Sequence, residues 1–222
     1  RVGTALRAAQ PSFEPPPRCA RLPPAREGRE TASLSLHSGC GSTRAPLGIG
    51  NPPMTPETQR VLRFFDEYIF GFMRNDIDAA IRGKANFLAA LGLVSYTEVL
   101  GGLVTGNAGE RGYAAENFRA FLPYLGSDYQ ALETKGVDLY DTVRCGLVHQ
   151  YFIKGGATIW MNANAPCGIF AGMDAPTYFI VNVYRDHFFA GAARYRNELI
   201  DATNAVLRAN FESGARAIGF KD

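Results

Sequence analysis

Val137–Lys154, VDLYDTVRCGLVHQYFIK, is the stretch whose reading decides the fold. Its apolar residues Val137, Tyr140, Val143, Leu147, Val148, Tyr151 and Phe152 recur at helical spacing, which predicts a helix buried along one broad side. The same helix carries Arg144 and His149, five residues apart, with Cys145 between them. Arginine is a permanent cation with a forked set of donors, and histidine is the residue type that exchanges a proton near neutral pH.

Upstream of this stretch the pattern stays helical. Thr55-Pro56-Glu57 reads as a helix start, with a hydroxyl at the cap, proline at the first helical position and an acid in the first turn. The helix it opens runs to about Arg74 on Val61, Leu62, Phe64, Phe65, Tyr68, Ile69 and Phe72. A second, long helix is expected from about Asp76 to Val104. Its small residues (Ala79, Ala80, Gly83, Ala85, Ala89, Ala90, Gly92, Gly101, Gly102) would let another helix approach closely, or its glycines would break it. Thr105–Gly109 reads as a loop, about 112–122 as a third helix ended by Pro123 and Gly126, and about 128–134 as a short fourth.

Downstream of Lys154 the period changes. Ala157–Met161, Cys167–Ala171 and Thr177–Val183 are short β-prone runs, and a last helix is expected from Asp186 to about Phe211. The fold class is therefore mainly α: a helical bundle with a small antiparallel β insert, about residues 156–183, before the last long helix.

The ends and the charge divide the chain in two. Residues 1–53 hold nine of the 13 prolines, seven arginines and three glutamates, a net +4. With no sustained period this segment is expected to be disordered. Met54 stands directly before the first helix start, which suggests a natural start there, with the preceding residues as extra translated sequence. The alternative is an Arg/Pro-rich tail that binds an acidic partner. Residues 54–222, the expected domain, carry a net −2, so no global basic footprint for nucleic acid is present. Four cysteines, at 19, 40, 145 and 167, form no CxxC and no regular framework; reduced thiols and a cytoplasmic setting are the expectation. The nearest approach to a membrane span, Phe87–Val104, is interrupted by glycines, Glu98 and hydroxyl residues, so no membrane association is expected.

Arg144 and His149 support two readings. In the first, His149 acts as general base or acid on a ribose 2′-hydroxyl and a leaving oxygen, while Arg144 holds the phosphate and stabilises its developing charge. In an α-helix residues five apart lie about 140° round the axis, so the two side chains would have to converge on a groove beside a partner helix. In the second, Arg144 pairs with Asp138 or Asp141 on its own helix and His149 is a partly buried, hydrogen-bonded residue. Glu98, an acid in the apolar stretch SYTEVLGGL, either supports the pair, by orienting His149 or pairing with Arg144, or is a salt-bridged structural acid. Cys145, His149, Cys167 and His187 match no known zinc spacing, and GGLVTGNAG lacks the lysine and hydroxyl residue of a phosphate loop. No metal or cofactor is expected.

The segment LYDTVRCGLVHQYF, placed late in a helical bundle, resembles the HEPN family (higher eukaryotes and prokaryotes nucleotide-binding domains). The architecture of that family corresponds to roughly Met54–Phe211, and its R-x4-6-H motif to Arg144 and His149. The resemblance implies a metal-independent endoribonuclease in a toxin–antitoxin, defence or RNA-processing system, acting as a homodimer whose two motifs face one cleft. RNA or a nucleotide is the implied ligand and an antitoxin protein an implied partner. Many nuclease members carry a polar residue, often Asn, directly after the arginine. Cys145 stands there in this chain, which keeps open a non-catalytic helical module that binds a nucleotide, an RNA or a protein.

Overall fold

Thr55 caps the first helix as its sequence indicates, its side chain accepting a hydrogen bond from the Thr58 backbone at 3.2 Å ahead of Pro56. The computed structural model describes residues 54–150, 158–172, 175–201 and 203–221. The segment 1–53 and the Tyr151–Lys154 end of the central helix lie outside the described residues.

From that cap one helical rod runs through α1 (Pro56–Phe64), a π-helical segment (Phe65–Met73) and α2 (Arg74–Arg82), with right-handed helical dihedrals at both junctions. The expected long second helix is thus divided. The rod ends at Gly83, where the backbone amides of Lys84 and Ala85 bond to the carbonyls of Ile81 and Ala80. This is the paired closure that ends many helices. Lys84 takes the left-handed position there, at φ 57°. Helix α3 (Asn86–Thr105) follows and stops at Gly106, φ 86°.

Helix α3 is the central post. Ala89, Ala90, Leu93, Val94, Leu100 and Leu103 are fully buried, and α2, α4, α6, α7 and the motif helix all pack on it. It is long and apolar enough to cross a membrane by length and composition, but half of its most apolar stretch is buried inside the fold. Gly101 and Gly102 let neighbours in. A Cβ on Gly101 would lie 2.5 Å from the carbonyl carbon of Asn117, and one on Gly102 would lie 2.8 Å from the Cα of Ala108. The small residues at this end of α3 are therefore used inside the chain, against α4 (Ala114–Leu125) and the loop before it.

Helix α5 (Ser127–Thr134) leads to the motif helix, Tyr140–Gln150. Three short strands follow: β1 (Thr158–Trp160), β2 (Ile169–Gly172) and β3 (Ala175–Ile180). β3 lies in the middle, antiparallel to β2 as expected but parallel to β1. A parallel pair cannot be joined by a tight turn. The intervening loop is held by Asn182, whose side-chain amide exchanges two 3.1 Å hydrogen bonds with the backbone of Ala163.

The last expected helix is also two. Helix α6 (Val181–Ile200) buries Phe188, Phe189, Ala192, Tyr195 and Leu199. Helix α7 (Ala205–Ala217) restarts on Asn204, whose side chain caps the Leu207 amide at 3.0 Å. The restart resets the helical phase. Leu207, Phe211 and Ala215 turn inward, whereas Val206 (70 % exposed) and Ala209 face out.

Candidate functional site

The motif helix starts on a built cap. The Asp138 carboxylate accepts from the Asp141 amide at 3.0 Å, and the Glu133 carboxylate accepts from the Leu139 amide at 2.8 Å. Arg119 of α4 ties both acids together, reaching Glu133 at 3.0 Å and Asp138 at 2.8 Å. Asp138 is therefore engaged with Arg119. Asp141, offered by the sequence as a partner for Arg144, is exposed and sits at the helix entrance.

Leu139, Val143 and Leu147 then fasten the helix to the core, all at or below 2 % exposure. Val148, expected inward, is 38 % exposed at the edge of that buried strip. The winding itself differs from the expectation. All 11 residues of Tyr140–Gln150 are π-helical, and in a π-helix backbone bonds join residues five apart rather than four. Residues five apart become hydrogen-bonded neighbours on successive turns, as residues four apart are in an α-helix. Arg144 and His149 are such a pair. The 140° offset that an α-helix would impose is reduced, and Arg144 and His149 stand on adjacent turns.

Arg144 is held from two directions. Its Nε lies 2.5 Å from Glu98 Oε2, with both side chains about four-fifths buried (17 % and 20 % exposed). The contact is an ion pair rather than a directed hydrogen bond, because neither atom meets hydrogen-bond geometry with any partner. Its guanidinium also lies 5.4 Å over the ring of Tyr140, one helical turn back. The terminal nitrogens make no hydrogen bond among the described residues and are not fully enclosed. Of the partners weighed from sequence, then, Glu98 takes the arginine. His149 is exposed on the next turn rather than partly buried.

Tyr140 is the residue that sequence reasoning placed in the core and missed as part of the site. It is half-buried. Arg144 lies on its ring, Arg119 stands 6.0 Å from it, and Phe118 packs at 5.9 Å. Burial raises its hydroxyl above the ordinary tyrosine value; a hydrogen bond with Cys145 adds to this and the charge of Arg144 opposes it. The signal that was available is the spacing: an aromatic residue four before an arginine in a helix puts ring and cation on one face. Cys145 is half-buried beside Tyr140.

The remaining thiol and histidine lie in another place. Cys167 is buried, which pushes its thiol up, and it neighbours Tyr129. The Tyr129 hydroxyl sits 2.9 Å from His187 Nδ1 and accepts from the Gly168 amide at 3.0 Å, joining α5, the residue that precedes β2, and α6. Cys145, His149, Cys167 and His187 thus do not converge. Among the described residues no group of three or more His, Cys, Asp or Glu could hold a metal ion. Trp160 and Tyr178 pack against each other at 4.9 Å in the sheet, and Phe179 is fully buried.

The arrangement can do two things chemically. The open fork of Arg144 can take an oxyanion in two-pronged fashion, and the imidazole of His149 on the adjacent turn can exchange a proton with a group held there. Glu98 and Tyr140 fix the guanidinium plane, so the fork is oriented before any ligand arrives. Glu98→Gln is expected to lower any activity of the site and to cost about 1–3 kcal/mol of stability as well, because it leaves a largely buried guanidinium without its counter-charge. A large loss of stability with activity intact in the surviving fold would make Glu98 a purely structural acid. Compared with protein-family models, curated proteins and solved structures, the chain matches none.

Proposed function

We propose that this domain is a metal-independent endoribonuclease of HEPN type, with Arg144 holding the scissile phosphate and His149 exchanging the proton. The observation that supports this reading is the π-helical winding of Tyr140–Gln150, in which residues five apart, as Arg144 and His149 are, are neighbours on successive turns. A phosphate on the Arg144 fork would lie beside the His149 imidazole. The ribose 2′-hydroxyl attacks phosphorus, its proton passes to a base, and the 5′-oxygen leaves with a proton from an acid. The products are a 2′,3′-cyclic phosphate and a 5′-hydroxyl, because no external water enters this step.

Attack and departure occur on opposite sides of phosphorus, so one imidazole cannot serve both at once. A second motif from a second copy would supply the other. A homodimer is therefore part of the proposal. Light scattering on the protein at micromolar concentration is expected to give twice the monomer mass. A clean monomer removes the composite cleft and with it this form of the mechanism.

The deciding experiment is cleavage of single-stranded RNA in EDTA with analysis of the product ends. A role within a toxin–antitoxin or defence pair is the setting this chemistry suits, with an antitoxin protein as the restraining partner. An inactive protein that still binds RNA or a nucleotide through Arg144 would identify the domain as a binding module. Cys145, standing where many nuclease members have a polar residue, is the feature that favours that outcome.

A further inference from the structure

Three arginines gather around two phenylalanine rings where the Phe65–Met73 segment, α2 and α6 meet. Arg74 lies 4.4 Å from the centre of the Phe189 ring and 5.3 Å from that of Phe70. Arg196 stands 5.2 Å from Phe70, and Arg185 stands 5.6 Å from Phe189. Two of the three are neutralised. Arg185 holds Asp78 and Asp186, each at 2.8 Å, and Arg196 reaches Asp66 at 3.3 Å.

Arg74 has no ion-pair partner among the described residues. Its natural one would be Asp78, four residues on in the same helix. Asp78 turns instead to Arg185, whose Nε donates to it at 2.8 Å. The Nε of Arg74 is buried and makes no hydrogen bond. Its terminal nitrogens are likewise unbonded, but they are not enclosed. The guanidinium is thus wedged against two rings with only its outer fork open.

We propose that the Arg74 fork is an oxyanion site, and that the oxyanion is a single phosphate group. The two rings set the plane of the guanidinium, so little side-chain freedom remains to be lost on binding. A partly buried cation without a counter-charge is costly, and an arriving anion relieves that cost. Arg185 and Arg196, on the same two rings, are balanced by their carboxylates, so the preference for phosphate over a carboxylate rests on the further oxygen and second charge that phosphate brings to the Arg74 fork. Asp66, Asp78 and Asp186 keep those two arginines occupied, so the surface offers one fork rather than a track for a long polyanion. The site shares no residue with the motif helix and stands independently of the nuclease reading.

The test uses the full chain labelled with 15N-arginine. Side-chain Nε–H resonances are followed as inorganic phosphate is added at constant ionic strength, with chloride as reference and acetate as the carboxylate arm. The Arg74 signal, assigned by its absence in Arg74→Gln, is expected to move saturably with phosphate and to bind acetate at least about tenfold more weakly. Phosphate should raise the melting temperature of Arg144→Gln, in which the motif fork is gone, and should not raise that of the double variant Arg74→Gln/Arg144→Gln. Arg74→Lys keeps the charge and the ring contact without the fork, so it is expected to stay folded and to lose about tenfold or more in phosphate affinity. A shift that never saturates, acetate binding as tightly as phosphate, or unchanged affinity in Arg74→Lys would each overturn the proposal.

Discussion

Gly101→Ala is expected to destabilise the domain by about 3 kcal/mol or more, the upper end of what overpacking a core costs. For a domain of this size that corresponds to a fall in melting temperature of roughly 10 °C. In an exposed helix the same change would stabilise by about 1 kcal/mol, because alanine is the better helix former. The sign reverses here because the new methyl would meet the Asn117 backbone, 2.5 Å from its carbonyl carbon and nearer still to its oxygen. A side chain could rotate away; this backbone is fixed on both sides. Asn117 is 4 % exposed, and its side-chain oxygen accepts from the Thr105 hydroxyl at 2.7 Å while its amide donates to the Asn107 carbonyl at 3.1 Å. The control is Gly92→Ala in the same helix. The methyl there would meet only the end of the Ile77 side chain, at 2.7 Å. That variant should stay within about 1 kcal/mol of wild type. Urea unfolding followed by circular dichroism compares the two, and equal midpoints would mean that α3 and α4 do not cross as closely as described.

His149→Ala should reduce RNA cleavage at least about 100-fold, the usual scale for loss of a general acid or base. Because His149 is exposed, the substitution removes no packing, and the melting temperature should be unchanged. Arg144→Lys should fail as well. An ammonium keeps one charge, but it cannot offer two parallel donors to a phosphate or lie flat on the Tyr140 ring 5.4 Å away. Cys145→Asn is the change expected to raise activity, since it restores a polar side chain directly after the arginine. If neither wild type nor Cys145→Asn cuts any RNA, and the Arg144 and His149 variants only lower the melting temperature, the pair is architecture. The domain is then to be understood as a binding module.

Some of this was legible without coordinates because it depends on neighbours in sequence. The Thr55 cap and Pro56 are a local device, and the helix begins there. Phe188, Phe189, Ala192, Tyr195 and Leu199 keep helical spacing, and they are the buried face of α6. The change of period after Lys154 marked the sheet. Where the reading failed, equal local signals had unequal tertiary surroundings. Gly83, Gly101 and Gly102 weaken a helix alike by propensity. One ends a rod, while the other two sit inside α3 where Asn117 and Ala108 come close. The parallel course of β1 beside β3 was also out of reach, because it depends on the path of a loop that Asn182 clamps.

At the candidate site the division is sharper. The sequence by itself determined a mainly helical protein and placed an arginine and a histidine five residues apart on a helix that the core would hold through Val143 and Leu147. It offered Arg144 three acids, Asp138, Asp141 and Glu98, with nothing to choose between them. Tertiary structure chose. Arg119 arrives from α4 to take Asp138, and α3 brings Glu98 to Arg144 from 46 positions away in the chain. It also decided the winding. An i→i+5 ladder is rarely favoured by a helix alone, and this one is seated on α3 and α4 with its buried strip against them. That winding depends on contacts with distant segments, which is why the spacing of two residues could be read from the chain and the turn on which each stands could not.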